Sequence, residues 1–389
     1  MDRLEDIRDR MLLALGPLPA ERAALTRAEG RFLAEPVMAR MAAPPADCSA
    51  MDGYALRSAD AGGSGSLDVV ETVFAGELAA RPLGPGEAAR IFTGAPLPAG
   101  ADAVVREESV SLENGRVRLR AEVRRGENVR RAGEDVAKGG LALPAGVRLG
   151  PRQVSLCAAV GVEEVAVHRR PRVTVISTGD ELVRGRTPDS NGPAVAGLAR
   201  AAGVEVATRL VGDELPAVTE AVAESLGQGD AVVTIGGVSV GRRDHVPVAL
   251  ERLGAELLVH GVPMKPGKPF LFARCGGKAV LGLPGSPSAC LVAFEVFARP
   301  ALLRLAGAAR PLRRALRIPL AEPAEGRPGR ARFLWARLDP DGRARPLGRD
   351  AAQVRGPALA DLLLVVPAGR GDLDEGEAVE AWLLEDAGA

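Results

Sequence analysis

Aromatic residues are scarce, at 3% of the 389 residues, so the stacked-base platforms of single-strand nucleic-acid binders are not expected. No charge of one sign is in excess. Lys+Arg and Asp+Glu number 50 each, which argues against a general nucleic-acid or anionic-membrane binder while leaving room for local patches. The four cysteines, Cys48, Cys157, Cys275 and Cys290, contain no C-x-x-C pair; that excludes a zinc knuckle and gives no disulfide framework. Three scattered histidines, His168, His245 and His260, argue against a histidine metal centre. No apolar run approaches the roughly 20 residues that span a bilayer, and the alternating charges of MDRLEDIRDR are unlike a signal or transit peptide. A soluble, cytoplasmic protein without nucleic-acid or membrane partners is expected.

At roughly 100–200 residues per domain, a chain of this length implies two to four domains. Leu4, Ile7, Met11, Leu12 and Leu15 predict a one-sided amphipathic helix. A polar loop, DCSAMDGYAL (47–56), precedes short Val-rich runs from about 67 to 124, the spacing of a small β-rich domain, with Asn114-Gly115 as a hairpin turn. PRQVSLCAAVG reads as a helix. From residue 171 the grammar changes: PRVTVIS, VEVATRLV, DAVVTI, LLVHGVPM, FLFAR and KAVLGL read as strands. Helices lie among them at NGPAVAGLARAAG, with Asn191 as N-cap and Gly203 as stop, at ELPAVTEAVAESLG, at HVPVALERLG and at PSACLVAFEVFARPALLRL. This alternation predicts right-handed βαβ units and a mostly parallel sheet. A Pro/Arg-rich stretch (308–330) breaks the pattern, and RFLWARL, LLLVVPAG and EAVEAWLL predict a final small β domain.

Ligands of open parallel sheets bind beyond the carboxyl ends of the strands. STGDEL (177–182), IGGVSVGRRD (235–244), MKPGKP (264–269) and LPGSPS (283–288) each follow a strand, so folding is expected to bring all four to one edge. Glycine turns expose N–H groups, Lys265 and Lys268 add cationic donors, and a helix begins near Pro287, a combination suited to oxyanions or phosphates. Asp180, Glu181, Asp213 and Asp244 are hard oxygen ligands that suit Mg2+ shared with a phosphate. Bland alternatives stand beside these readings. G-G-x-S is also a tight turn, Lys265-Pro266-Gly267-Lys268 also a solvated hairpin, and Asp180 and Glu181 also complement a helix N-terminus. Asp213 is most easily a helix cap. Neither a G-x-S-x-G elbow nor a P-loop is present, so phosphate handling has to come from several loops.

Taken in order, SAMDGYAL (49–56), TGAPLPAGADAVV (93–105), RRAGEDV (130–136), STGDEL, GGVSVGRRD, MKPGKP and GLPGSP resemble the molybdopterin molybdenumtransferase family, the MoeA-like proteins that include the E domain of gephyrin. The likeness covers residues 1–305; the last 80 or so fit loosely. It implies a multidomain α/β plus β fold. A discontinuous stem (1–40 and 137–168) carries a β-rich lid (41–136), followed by a doubly wound molybdopterin-binding α/β domain (169–305) and a C-terminal small β domain (306–389). It also implies a homodimer in which the lid of one subunit faces the α/β domain of the other. The implied reaction joins adenylylated molybdopterin and molybdate, with Mg2+, to give molybdenum cofactor and AMP. On this resemblance Asp52, Thr93, Glu181 and Asp244 form the catalytic set, and Asp180, Glu181 and Asp244 serve the metal, with Asp213 joining them on its residue type alone. Lys265, Lys268, Gly236, Gly237, Ser239, Ser286, Ser288 and Asp135 bind the substrates.

The chain departs from the family pattern in places. Ser286 replaces an Asn, and Ala289 takes the usual Ser position with Ser288 one place earlier. Trp335 follows Phe333-Leu334 where an Arg is frequent, with Arg332 or Arg337 as substitutes. The Ser pair expected before LLLVVP is absent, with Arg355-Gly356 near that place, and the segment between Glu181 and Asn191 is short. These departures point toward a divergent paralogue with altered metal preference or reduced activity, and molybdate against tungstate stays open because the two oxyanions differ too little for a loop reading. Two rival functions remain: a molybdopterin adenylyltransferase, which shares the α/β motifs but not the stem and lid, and a non-catalytic pterin-binding or scaffold protein, which needs no carboxylates at 52, 181 and 244.

Overall fold

Asn114 and Gly115 both take positive φ, 50° and 76°, as a type I′ turn requires, and fold Val110–Glu113 back on Arg116–Leu119. That hairpin belongs to the lid of a computed structural model that describes residues 3–62, 66–239, 241, 244–348 and 353–384. Val240, Arg242 and Arg243 of the GGVSVGRRD motif lie outside the described residues.

The lid sheet has six strands in the order Ala103–Arg106, Gly53–Leu56, Glu87–Ile91, Ser66–Val73, Arg116–Leu119, Val110–Glu113. Successive side chains of a strand point to opposite faces, and the clusters divide accordingly. Leu56, Ala88, Val105 and Val117 fill one face, while Ala55, Ala89, Val104 and Ile91 fill the other. The segments expected to form a stem contain two short antiparallel pairs, Ala20–Ala24 with Glu164–His168 and Val37–Met38 with Leu141–Leu143, around Leu33, Leu149, Cys157 and Val167. The amphipathic helix forms over Leu4–Leu13 but packs elsewhere. Leu4, Ile7, Met11 and Leu15 enter the cluster of Phe294, Phe297 and Trp382, in the carboxyl half of the chain.

In the α/β domain we number the strands β1 (Arg172–Thr178), β2 (Glu205–Val211), β3 (Ala231–Ile235), β4 (Glu256–His260), β5 (Leu271–Cys275) and β6 (Lys278–Leu283). Their order is β2-β1-β3-β6-β5-β4. β1, β2, β3 and β6 are parallel. β5 is antiparallel to both of its neighbours, so β4 runs with the parallel set. Apolar runs such as AVVTI are buried on both faces, as central parallel strands must be. Val195, Ala199 and Cys290 cover one face of the sheet, and Val218, Val222, Val246 and Leu250 the other, which makes the domain doubly wound. The chain leaves β1 for β2 on one side and reaches β3 on the other, so the switch point opens at the carboxyl ends of β1 and β3.

The C-terminal sheet is built on Ala331–Leu338, antiparallel to Leu362–Val366, with Ala378–Leu383 and Ala315–Pro319 beyond. Ala315–Pro319 lies within the stretch that reads as a break in the sequence. The strand is concealed there because only Ile318 of its side chains is buried and Arg314 and Arg317 flank its apolar residues. Met264–Lys265 joins this sheet in parallel with Ala331–Arg332, so the MKPGKP loop is shared between two domains. Among the described residues no helix is long and apolar enough to cross a membrane.

Candidate functional site

Three loops meet at the switch point. Gly236 and Gly237 follow β3 with φ of 85° and 65°, and a Cβ on Gly236 would lie 3.0 Å from the Thr178 hydroxyl oxygen at the end of β1. Only glycine fits so close a turn at that φ. Gly236 N–H donates to the Leu283 carbonyl at 3.0 Å, which ties in the loop after β6. Asn191 donates from its side chain to the Gly285 carbonyl at 2.7 Å. It is therefore not the N-cap expected from sequence: Ser190 holds that position, and Asp189 accepts the Gly192 N–H at 2.9 Å. Gly203, at φ 87°, ends the helix as expected.

The acids at this edge have unequal freedom. Asp180 and Asp213 clamp each other, the backbone N–H of each donating to the other's carboxylate at 3.2 and 3.1 Å, and Arg184 adds an ion pair to Asp180 at 3.2 Å. Asp213 thus locks the end of β2 to the loop after β1. It does not cap the following helix, whose N-cap is Glu214. Glu181 folds its carboxylate over Gly179, within 2.6 Å of where a Cβ would stand. Asp244 sits at the N-cap of His245–Arg252 and accepts the Gly241 N–H at 2.6 Å. Ser239 is exposed, as is Ser286 at the N-cap of Pro287–Ala293. Among the described residues no group of three His, Cys, Asp or Glu side chains is arranged to hold a metal.

Beside this edge, the MKPGKP loop, the start of Pro287–Ala293 and the C-terminal sheet border a small, partly open cavity lined by Lys265, Ser288, Arg332, Trp335, Gly348 and Gln353. Trp335 Nε1 donates to Ser288 Oγ at 2.9 Å, both side chains being buried. The Ser288 hydroxyl therefore keeps its own proton to donate. Arg332 is buried and ion-paired to Glu325 at 2.7 Å. Lys265 is half-buried at the cavity, whereas Lys268 is exposed. One signal for this loop is plain in the sequence yet easily overlooked. Lysine occurs at 138, 265, 268 and 278 alone, the other 46 cations being arginine. Lys278 is used structurally, donating to the Leu226 carbonyl at 2.5 Å near the end of a helix. A second hollow, lined by Ser177, Asp189, Gly192, Arg200 and Arg209, opens at the β2 side of the same edge.

A separate group forms in the lid. Asp52 Oδ1 accepts both the backbone N–H and the hydroxyl of Thr93 at 2.7 Å. These donors, the N–H first, together with the charge of Arg90, hold Asp52 below the usual carboxylate range. Cys48–Ser49 pairs with Val129–Arg130, and Ser49 exchanges bonds with Gly94 and Ala95 at 2.8 and 2.9 Å. The three lid motifs, far apart in sequence, therefore converge. Asp135 pairs with Arg130 at 2.7 Å on the surface nearby. Within one chain, among the described residues, no hydrogen bond or ion pair joins this group to the sheet edge.

The sequence matches the MoeA N-terminal region (domain I and II) over residues 3–161, the probable molybdopterin binding domain over 174–304 and the MoeA C-terminal region (domain IV) over 317–384. It is 40% identical to a molybdopterin molybdenumtransferase of Nostoc sp. across 74% of this chain and 69% of that protein. It is 33% identical to one of Staphylococcus aureus across 96% and 93%. The chain belongs to the molybdopterin molybdenumtransferase family. Two structures of MoeA proteins from Pyrococcus horikoshii superpose with TM-scores of 0.77 and 0.85, at 32% and 26% identity, over 98% and 99% of this chain and 99% and 100% of theirs. The C-terminal region, loosely matched by its motifs, thus belongs to the family as fully as the rest.

Proposed function

We propose that this member of the molybdopterin molybdenumtransferase family is an enzyme that inserts molybdenum from molybdate into adenylylated molybdopterin and releases AMP. The observation that carries the reading is the cavity at Lys265. An ammonium group and a hydroxyl with a free proton lie beside a sheet edge turned by Gly236 and Gly237. This donor set suits a tetrahedral dianion next to a phosphorylated pterin. Retention of lysine in a chain that otherwise uses arginine supports a need for a compact ammonium rather than a planar fork.

Mg2+ commonly binds through one or two carboxylates plus substrate phosphates rather than a full protein cage. Asp180 and Asp213 tie the end of β2 to the loop after β1, so we assign Mg2+ to Glu181 and Asp244, which follow β1 and β3 on either side of the switch point. When bound with the adenylate it would polarise the phosphate. The chain's own contribution is to hold molybdate at Lys265 and Ser288, to orient the pterin by the glycine turns at 236 and 237, and to keep Asp52 ionised.

The separation of the Asp52 and Thr93 group from the sheet edge supports a homodimer whose lid completes the site of its partner. Four free thiols, three of them buried, suit a reducing cytoplasm. Incubation of the purified chain with adenylylated molybdopterin, with and without molybdate or tungstate, is expected to release AMP only with the oxyanion. Consumption of ATP without oxyanion would instead identify an adenylyltransferase. Unchanged AMP release by Asp52→Ala and Glu181→Ala would overturn the assignment of those acids.

A further inference from the structure

Nine of the eleven aromatic side chains are buried. The other two, Phe74 and Phe92, stack on each other at the lid surface, with ring centroids 4.9 Å apart and planes 7° from parallel. Phe74 is 49% exposed. The stack follows from strand register. Ser66–Val73 and Glu87–Ile91 run parallel with Val73 opposite Ile91, so residues 74 and 92 leave the sheet side by side. Phe92 N–H donates to the Val73 carbonyl at 3.3 Å, which fixes the second ring.

The position is chemically loaded. The residue after Phe92 is Thr93, which grips Asp52. The Arg90 guanidinium lies 5.4 Å from the Phe92 ring centroid and pairs with Glu107 at 3.1 Å, and the Glu107 N–H donates to the Asp52 carbonyl at 3.3 Å. A flat apolar face, a cation and an ionised carboxylate thus adjoin one another. An apolar contact with another protein needs area but no flat face. A near-parallel ring pair with a polar fringe matches a planar nitrogen heterocycle, whose faces stack and whose edges hydrogen-bond.

We infer that Phe74 and Phe92 form a stacking platform for a fused-ring heterocycle of the substrate, the adenine of its nucleotide half or its pterin. The inference rests on the reaction proposed above and adds to it a role for the lid surface. Phe74 is a binding residue that positions the substrate, with Asp52 and Thr93 at the platform's edge.

The test compares Phe74→Ala, Phe74→Leu and Phe74→Trp in the full chain. Leucine keeps apolar bulk without a flat face, and tryptophan keeps the face. KM and kcat for adenylylated molybdopterin are read from AMP release, and direct binding of AMP alone and of a free pterin alone is read by calorimetry. About a tenfold rise in KM is expected for the alanine and leucine variants, with kcat within twofold and tryptophan near wild type. The ring whose direct affinity falls in parallel is the one that stacks. Wild-type KM and affinities in Phe74→Ala would overturn the platform. So would rescue by leucine, or dissociation of an oligomer in Phe74→Ala, either of which marks an apolar contact between copies. If the wild-type chain releases no AMP, the proposed reaction fails, while the binding measurements still decide the platform.

Discussion

Lys265→Met is the substitution on which the structure makes its sharpest demand. Among the described residues two cations line the cavity. Arg332 is neutralised by Glu325 at 2.7 Å, whereas Lys265 has no carboxylate partner among the described residues. Lys265 therefore supplies most of the positive field there. At about 4 Å and an effective dielectric near 20, one opposite charge is worth ~4 kcal/mol. Half-exposure and the cost of stripping water from the ammonium reduce this toward the ~1.5–3 kcal/mol of a charge-assisted hydrogen bond. The corresponding rise in molybdate KM is about 10- to 150-fold. Methionine keeps the length of the stem, so the fold should be unaffected. Molybdate would be titrated at saturating adenylylated molybdopterin and at two ionic strengths, with AMP followed. Wild-type KM should climb with salt, and the variant should respond less. A variant KM within twofold of wild type at low salt would refute the reasoning, because no other unpaired cation lines the cavity among the described residues.

Gly236→Ala should cost about 1–2 kcal/mol, since φ is 85° and the new Cβ meets the Thr178 hydroxyl at 3.0 Å; an unshifted denaturation midpoint would contradict the turn geometry. Trp335→Phe removes the donor to Ser288 and should cost ~1 kcal/mol, with a molybdate KM change that reports whether the freed hydroxyl reorients. In Asp230, burial raises the carboxyl's pKa, but the Arg169 guanidinium at 2.5 Å and the Arg172 N–H outweigh it and hold it low. Asp230→Ala should destabilise by ~2 kcal/mol, less than for a fully buried pair because Arg169 is partly exposed, and equal urea midpoints would count against it. Glu87 is held down from 4.5 to about 2 by Arg81 and the Gly84 N–H. A depressed carboxylate stabilises above its unfolded pKa and loses that contribution as pH falls toward the folded one. Protection factors for hydrogen exchange in the lid, corrected for the intrinsic pH dependence, should therefore fall from pH 4.5 to 2 in wild type and less so in Glu87→Gln; identical profiles would discount the interaction.

Legibility varied along the chain for identifiable reasons. The runs PRVTVIS and DAVVTI declare central strands because burial on both faces leaves no room for polar residues. Asn114-Gly115 declares its hairpin because two successive positive φ values admit few side chains. Ala315–Pro319 is a strand with one buried side chain and gives almost no pattern. Asn191 resembles an N-cap by type and place, yet the neighbouring Gly285 carbonyl competes successfully for its side chain. Gln353 enters the cavity wall from a stretch with no motif at all.

The amino-acid order alone determined the elements and their punctuation, since periods of 2 and 3.6 residues and glycine turns are local properties of the backbone. It also placed polar loops after strands, and with them the candidate chemistry. Only the tertiary structure decided which loops meet. Strand order and register bring Thr178 to Gly236, lock Asp180 to Asp213, and lay Met264–Lys265 against Ala331–Arg332 so that Lys265 faces Ser288 and Trp335. These pairings depend on burial summed over the whole sheet, a long-range quantity that no short window of sequence contains.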